Sequence, residues 1–257
     1  MALTIASITT YPIKGFAGQT HERITVTAGG LLPGDRAYAL SSGTKASQEA
    51  EPHSWLKKAH FLQMMTHGGL ASLSLAFDPV TTHLRLIRKD DDAIMFDGYL
   101  NRQDDCETLG KMTAEMLGLE GVSPRLFALH EGGMTDTKTP YVAFGTHESI
   151  SDFANQVGID DDERRFRLNV MMRGGSAFAE NDLIGKSVQI GTAQFAFIEP
   201  VGRCAAIEVD PQTALRRKNL VQDLRNTYGH EDMGVFASVI KSGEFACGDE
   251  VIITNNA

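Results

Sequence analysis

Ser187-Val188-Gln189-Ile190 and Gln194-Phe195-Ala196-Phe197-Ile198, parted by Gly191, decide the fold. Each run is four or five residues long and places apolar side chains at alternate positions, the period of a half-buried strand. Arg167–Met172 before them and Cys204–Val209 after them read as strands of similar length, so four short strands crowd into one stretch of chain.

The same density continues outward. Leu3–Thr9 is rich in β-branched residues, Arg23–Thr27 alternates, and Arg36–Leu40 resumes a strand pattern after turn signals at Gly29-Gly30 and Pro33-Gly34. Leu70–Phe77, Leu84–Ile87, Arg125–Leu129, Val235–Ile240 and Glu250–Thr254 read as further strands, and Ser41–Pro52 as a polar loop. Helices are expected at Asp104–Leu117, closed by Gly118, from Thr146 or Ser149 to Val157, closed by Gly158, and at Gln212–Asn226 after Asp210-Pro211. Strands outnumber helices roughly three to one. That ratio predicts a mainly β protein with a few helices, built as a barrel or mixed barrel rather than a doubly wound parallel sheet. The junction between halves is expected near the Asp104–Gly118 helix, dividing the chain into 1–120 and 121–257.

Composition narrows the function. The 257 residues carry a net charge of -9, which disfavours a nucleic-acid footprint but permits a local cationic pocket. Cys106, Cys204 and Cys247 are odd in number and contain no CxxC, so neither a disulfide framework nor a zinc ribbon is expected. Met1-Ala2-Leu3-Thr4-Ile5 has no basic n-region, and nowhere do 18 consecutive apolar residues occur, so a cytoplasmic protein without membrane association is expected. Gly185-Lys186-Ser187 lacks the earlier glycine of a P-loop, because position 180 is Glu. His130-Glu131 lacks the second histidine of a zinc-protease helix, because Met134 stands there. Asp90-Asp91-Asp92 reads as a solvated turn, and Met64, Met65, Met112 and Met116 read as core filler.

One constellation survives. Cys204 follows Arg203, and a thiol beside a guanidinium is expected to gain thiolate character, the soft ligand a heavy transition metal prefers. On an assumed strand, Arg167 and Asn169 share a face. Lys14, in Tyr11-Pro12-Ile13-Lys14-Gly15, and Arg36, after Gly34-Asp35, stand at strand ends. Taken singly, each is more often a solvated charge, and an isolated Arg-Cys is more often inert.

Taken in order, these pieces resemble the MOSC family. Tyr11–Gly15 and Gly34-Asp35-Arg36 look like the β-barrel domain that precedes MOSC domains. Arg165-Phe166-Arg167-Leu168-Asn169-Val170, Phe178-Ala179-Glu180, Leu183-Ile184-Gly185, Ile190-Gly191, Arg203-Cys204, Asp210-Pro211 and Gly248–Val251 follow in the family's order. Leu168 replaces the usual proline, Gly202 stands where a hydroxyl residue is common, and the usual tryptophan near Leu183 is missing.

The resemblance implies a molybdenum cofactor of the molybdopterin type, with Cys204 as metal ligand. It implies that Lys14, Arg36, Thr146, Arg167 and Arg203 bind the cofactor, and that Asn169 and His147 join Cys204 at the reacting centre. Relatives similar to the mitochondrial amidoxime-reducing component imply reduction of small N-hydroxylated substrates. Electrons would then come from a separate protein such as a ferredoxin, a cytochrome b5-like protein or a flavin reductase. The family also implies two alternatives. One is a sulfur or cofactor carrier using a Cys204 persulfide, without the pyridoxal phosphate domain of a desulfurase. The other is a binding module that holds no cofactor.

Overall fold

The computed structural model describes residues 2–129, 132–136 and 138–256. His130 and Glu131, the start of the discarded zinc motif, lie outside the described residues. The first half of the chain contributes β1 (Thr4–Thr10), β2 (Gln19–His21), β3 (Arg23–Val26), β4 (Tyr38–Leu40), α1 (Lys45–Glu49), β5 (Leu73–Asp78), β6 (His83–Arg88), β7 (Ile94–Tyr99), α2 (Gln103–Leu117) and β8 (Leu126–Ala128). The second contributes β9 (Val142–Thr146), α3 (His147–Val157), β10 (Val170–Arg173), β11 (Lys186–Ile190), β12 (Ala193–Gly202), α4 (Leu220–Tyr228), β13 (Asp232–Lys241), β14 (Gly243–Ala246) and β15 (Val251–Asn256). The architecture is mainly β with a few helices, as the strand density predicts.

Eight strands form one sheet in the order β15-β11-β12-β13-β9-β10-β1-β2. All pairs are antiparallel except β9 with β10, which run parallel because α3 crosses between them. The sheet curls until its ends approach: Ile5 N–H donates to Asp249 O at 2.9 Å and Val251 N–H to Leu3 O at 2.9 Å. Alternation explains the filling. Val188, Ile190, Phe195 and Phe197 point inward with Phe144, Val235, Val170 and Ile8, all essentially inaccessible to solvent. Each such side chain contributes about 1.5–3 kcal/mol on burial.

A second core lies under the β5-β6-β7 meander, where α2 packs Leu109 against Leu84, Leu86 and Phe96. The halves interlock, since β1 pairs with β10 and β3 with β14. The first residues of the chain are therefore staves of the barrel completed by the last. Among the described residues, no helix is long and apolar enough to cross a membrane.

Helices α2 and α3 end at Gly118 and Gly158, both left-handed, as expected. Other expectations need correction. The strand expected at Cys204–Val209 is a 3-10 turn over Ala205–Glu208, with the Ile207 N–H bonded to Cys204 O at 3.1 Å. The strand expected from Arg167 begins only at Val170, because Arg167 is left-handed (φ 52°) and ends a 3-10 turn at Glu163–Phe166. The helix expected from Gln212 begins at Leu220. Before it, Asp210 Oδ1 takes the N–H groups of Gln212 and Thr213 and the Thr213 hydroxyl, and so competes with helical bonding. The Ser41–Pro52 loop contains the short α1, capped by Thr44. Strands β2, β7, β9 and β14 went unread.

Candidate functional site

A cavity of about 350 Å³ opens where loops of both halves meet. Lys14, Arg36, Arg167, Asn169, Arg203 and Cys204 all line it, although they come from distant parts of the chain. Barrel curvature brings them together: β1 ends beside the segment entering β10, and β12 ends at Gly202, just before Arg203-Cys204.

Cys204 is half-buried and extended at the head of its 3-10 turn. Two arginines hold that turn. Arg165 donates to Ile207 O at 3.2 Å and pairs with Asp210 at 2.7 Å. Arg216 donates to Ala205 O at 3.0 Å and reaches across to Met65 O at 2.7 Å. The opposite walls of the cavity are thereby tied through one guanidinium.

Arg36 and Arg167 adopt φ 51° and 52°, which a side chain larger than glycine reaches at a cost of about 1–2 kcal/mol. Such strain persists only where surrounding contacts impose it. Here both guanidiniums lie on the buried Tyr11 ring, Arg36 at 4.9 Å and Arg167 at 4.2 Å from its centroid. Arg36 pairs with the buried Asp35 and donates to Arg167 O at 3.3 Å. Arg167 donates to Phe16 O at 2.6 Å.

Arg203 donates to Phe166 O at 2.6 Å and Val201 O at 3.2 Å, which leaves its Nη2 buried without a hydrogen-bond partner. Burial holds Arg203 down to about 10 against the opposing pull of Cys204, and Arg167 to about 10 against that of Tyr11. Two cations short of negative charge thus face one cavity.

Lys14 is buried, and its Nζ donates to Met134 O at 2.7 Å and to Asp136 at 2.6 Å. Burial lowers its pKa, with Asp136 opposing. The next residue, Gly15, packs against the chain at Leu62: at φ +84° a Cβ there would lie 2.9 Å from Leu62 O. Asp136 also pairs with Lys58 at 3.0 Å.

Asn169 reaches the wall, but its amide is committed to backbone, accepting from Ala143 N–H at 3.2 Å and donating to Thr9 O at 3.1 Å. It fastens β9 to β1, so it positions the wall rather than offering a reactive group. Thr146 and His147 do not line the cavity, contrary to the expectation. Ala143 lines it, and Thr146 lies three residues further along β9, about 10 Å away at strand rise. Thr146 caps α3 and donates to the buried Glu180 at 2.7 Å, while His147 sits beside Asp161 at 3.6 Å.

Sequence reasoning missed Lys58, Asp136, Arg165, Arg216 and the apolar wall of Met64, Met65, Tyr141 and Phe236. Met64 is buried in a small core cluster as expected and also lines the cavity beside Met65, whereas Met112 and Met116 pack on the second core as expected. Arg165 carried a signal within the Arg165–Val170 motif. The others carried none, because their partners are remote in sequence. The Leu168 departure is also explained. Leu168 fills the groove left by Gly145 and Gly234, where added Cβ atoms would stand 2.5 and 2.8 Å from its methyls.

Fold and site together define a two-part β-barrel protein with a cationic, thiol-bearing cavity at the junction. The chain belongs to the MOSC family: residues 2–103 match the MOSC N-terminal beta barrel domain and residues 137–252 the MOSC domain. Over 113 residues it is 30% identical to the molybdenum cofactor sulfurase of Drosophila persimilis, covering 41% of this chain and 14% of that protein. The chain thus corresponds to a small part of that relative. Among solved structures, the YUAD protein from Bacillus subtilis is 12% identical with a TM-score of 0.47, covering 100% of this chain and 98% of its own. YiiM from Geobacillus stearothermophilus is 17% identical with a TM-score of 0.36, covering 44% of this chain and 54% of its own.

Proposed function

We propose that this protein holds a molybdenum cofactor in the junction cavity and reduces small N-hydroxylated compounds with electrons from a separate donor protein. The observation that carries this reading is Cys204 facing the same cavity as Arg203, whose Nη2 is buried and unpartnered. A soft ligand beside an unsatisfied cation suits a group that is both metal-bearing and anionic. The residues therefore fit a molybdopterin-type cofactor.

In this reading Cys204 Sγ ligates the metal, while Lys14, Arg36, Arg167 and Arg203 hold phosphate and pterin oxygens. Arginine does so with a bidentate fork and lysine with a point charge. When bound, the cofactor supplies the two-electron chemistry. The net reaction breaks an N–O bond, consumes two electrons and two protons, and releases the amine and water. The chain's own residues orient the substrate, and Met64, Met65, Tyr141 and Phe236 keep one side of the cavity poor in water. The test is molybdenum content after expression in a host that makes the cofactor. Near-stoichiometric metal that is lost in Cys204→Ala supports the reading, and equal metal in both proteins refutes it.

A second reading is favoured by the likeness to a molybdenum cofactor sulfurase: Cys204 carries sulfur as a persulfide. A mass increase of about 32 Da on Cys204, reversed by thiol reductant, would decide for it.

A further inference from the structure

We propose that Asp136 is an internal stand-in for the ligand's phosphate, occupying the anion seat of Lys14 and Lys58 until an incoming phosphate group displaces it. The inference rests on the reading that the cavity takes an anion, and adds which group holds the seat of Lys14 and Lys58 before that anion does.

Asp136, which lines the cavity, and Asp35, which lies behind the lining residue Arg36, differ in kind. Asp35 is 2% exposed, accepts the Tyr11 N–H at 2.7 Å and pairs with Arg36. It is a permanent counter-ion built into the wall. Asp136 has a side chain that is 53% exposed, and it bridges Lys14 at 2.6 Å and Lys58 at 3.0 Å from the solvent side. Lys14 by contrast has a side chain only 8% exposed. A buried ammonium needs a negative partner, and Asp136 provides one while its own side chain keeps contact with solvent.

An exposed carboxylate is also the partner most readily exchanged. A phosphate group carries about -1.5 to -2 charge and three acceptor oxygens, against the single charge and two oxygens of Asp136. A tethered group competes at an effective concentration on the order of millimolar. Phosphate ligands in that range therefore displace it, and removing it should raise apparent phosphate affinity about tenfold.

The chain contains its own reporter. Trp55 is the single tryptophan, and Lys138 Nζ lies 5.3 Å from the centroid of its ring. Lys138 is only two residues beyond Asp136, so release of the carboxylate from Lys14 and Lys58 loosens the contact on the indole. Displacement is then visible as a change in Trp55 emission.

The experiment titrates inorganic phosphate into the full chain, prepared without cofactor, for wild type, Asp136→Asn and Lys14→Met. Binding is followed by calorimetry and Trp55 fluorescence, and a thermal melt confirms that each variant is folded. The expected result has three parts. Asp136→Asn binds phosphate about tenfold more tightly than wild type. Wild-type emission shifts on binding toward that of the unliganded Asp136→Asn protein. Lys14→Met loses binding. Equal or weaker binding by Asp136→Asn, with Lys14→Met still defective, overturns the role of Asp136 while leaving the anion-binding cavity intact. Absence of phosphate binding by both wild type and Asp136→Asn overturns the anion-binding reading itself, and the inference with it.

Discussion

Replacing Tyr11 with leucine should cost far more than removing its hydroxyl, because the ring holds two like charges together. Tyr11 is 3% exposed, and its ring lies under Arg36 at 4.9 Å and Arg167 at 4.2 Å. Its hydroxyl donates to Leu168 O at 3.2 Å. Each partly desolvated cation–π contact contributes about 1 kcal/mol, so the pair is worth about 2. The buried hydrogen bond adds about 1 kcal/mol, and the smaller leucine leaves a packing defect of about 1. Tyr11→Leu should therefore lose about 4 kcal/mol and Tyr11→Phe about 1, read from urea unfolding midpoints with m held common. Phosphate affinity should separate them too: unchanged in Tyr11→Phe and about tenfold weaker in Tyr11→Leu, where both guanidiniums lose their platform. If the two variants fall within about 1 kcal/mol of each other, the ring does not organise the arginines.

Other perturbations probe the remaining walls. Gly15→Ala should destabilise by about 2–4 kcal/mol, since it adds left-handed strain to a 2.9 Å approach to Leu62 O, and calorimetric melting would register the loss. Thr146→Val removes a helix cap and a hydroxyl bond to Glu180, so a loss of about 2 kcal/mol is expected with phosphate affinity unchanged; weakened phosphate binding in the folded variant would return Thr146 to the site. Burial pushes the Asp136 carboxyl up, but Lys14 and Lys58 together pull it down to about 2. A depressed carboxylate stabilises the fold above its unfolded value of about 4, and that contribution is lost as pH falls toward the folded value. Because the group is 53% exposed, screening limits the effect to about 1 kcal/mol. Wild type and Asp136→Asn should thus differ in urea midpoint at pH 6 and converge on acidification, and a gap that widens instead would contradict the pairing.

The mainly β character, the strands β11 and β12, and the glycines that close α2 and α3 were legible in the sequence. They depend on local physics: alternation sets which side of a strand is buried, and glycine takes the left-handed cap that closes a helix. Lys14, Arg36, Arg167, Arg203 and Cys204 could be nominated because they sit in recognisable short motifs. What reading along the chain could not supply was anything set by contact between remote segments. Alternation made Arg167–Met172 look like one strand, whereas stacking on Tyr11 and the bond to Phe16 O hold Arg167 out of the sheet. Asn169 looked reactive, and the fold spends its amide on the backbone of β9 and β1. Thr146 lay near the right residues in sequence but at the far end of its strand. Lys58 and Asp136 carry no signal in the sequence, and only closure of the barrel onto the first half makes them part of the site. Secondary structure follows from neighbours a few residues apart, whereas a cavity is defined by side chains that the chain brings together only after its strands have paired.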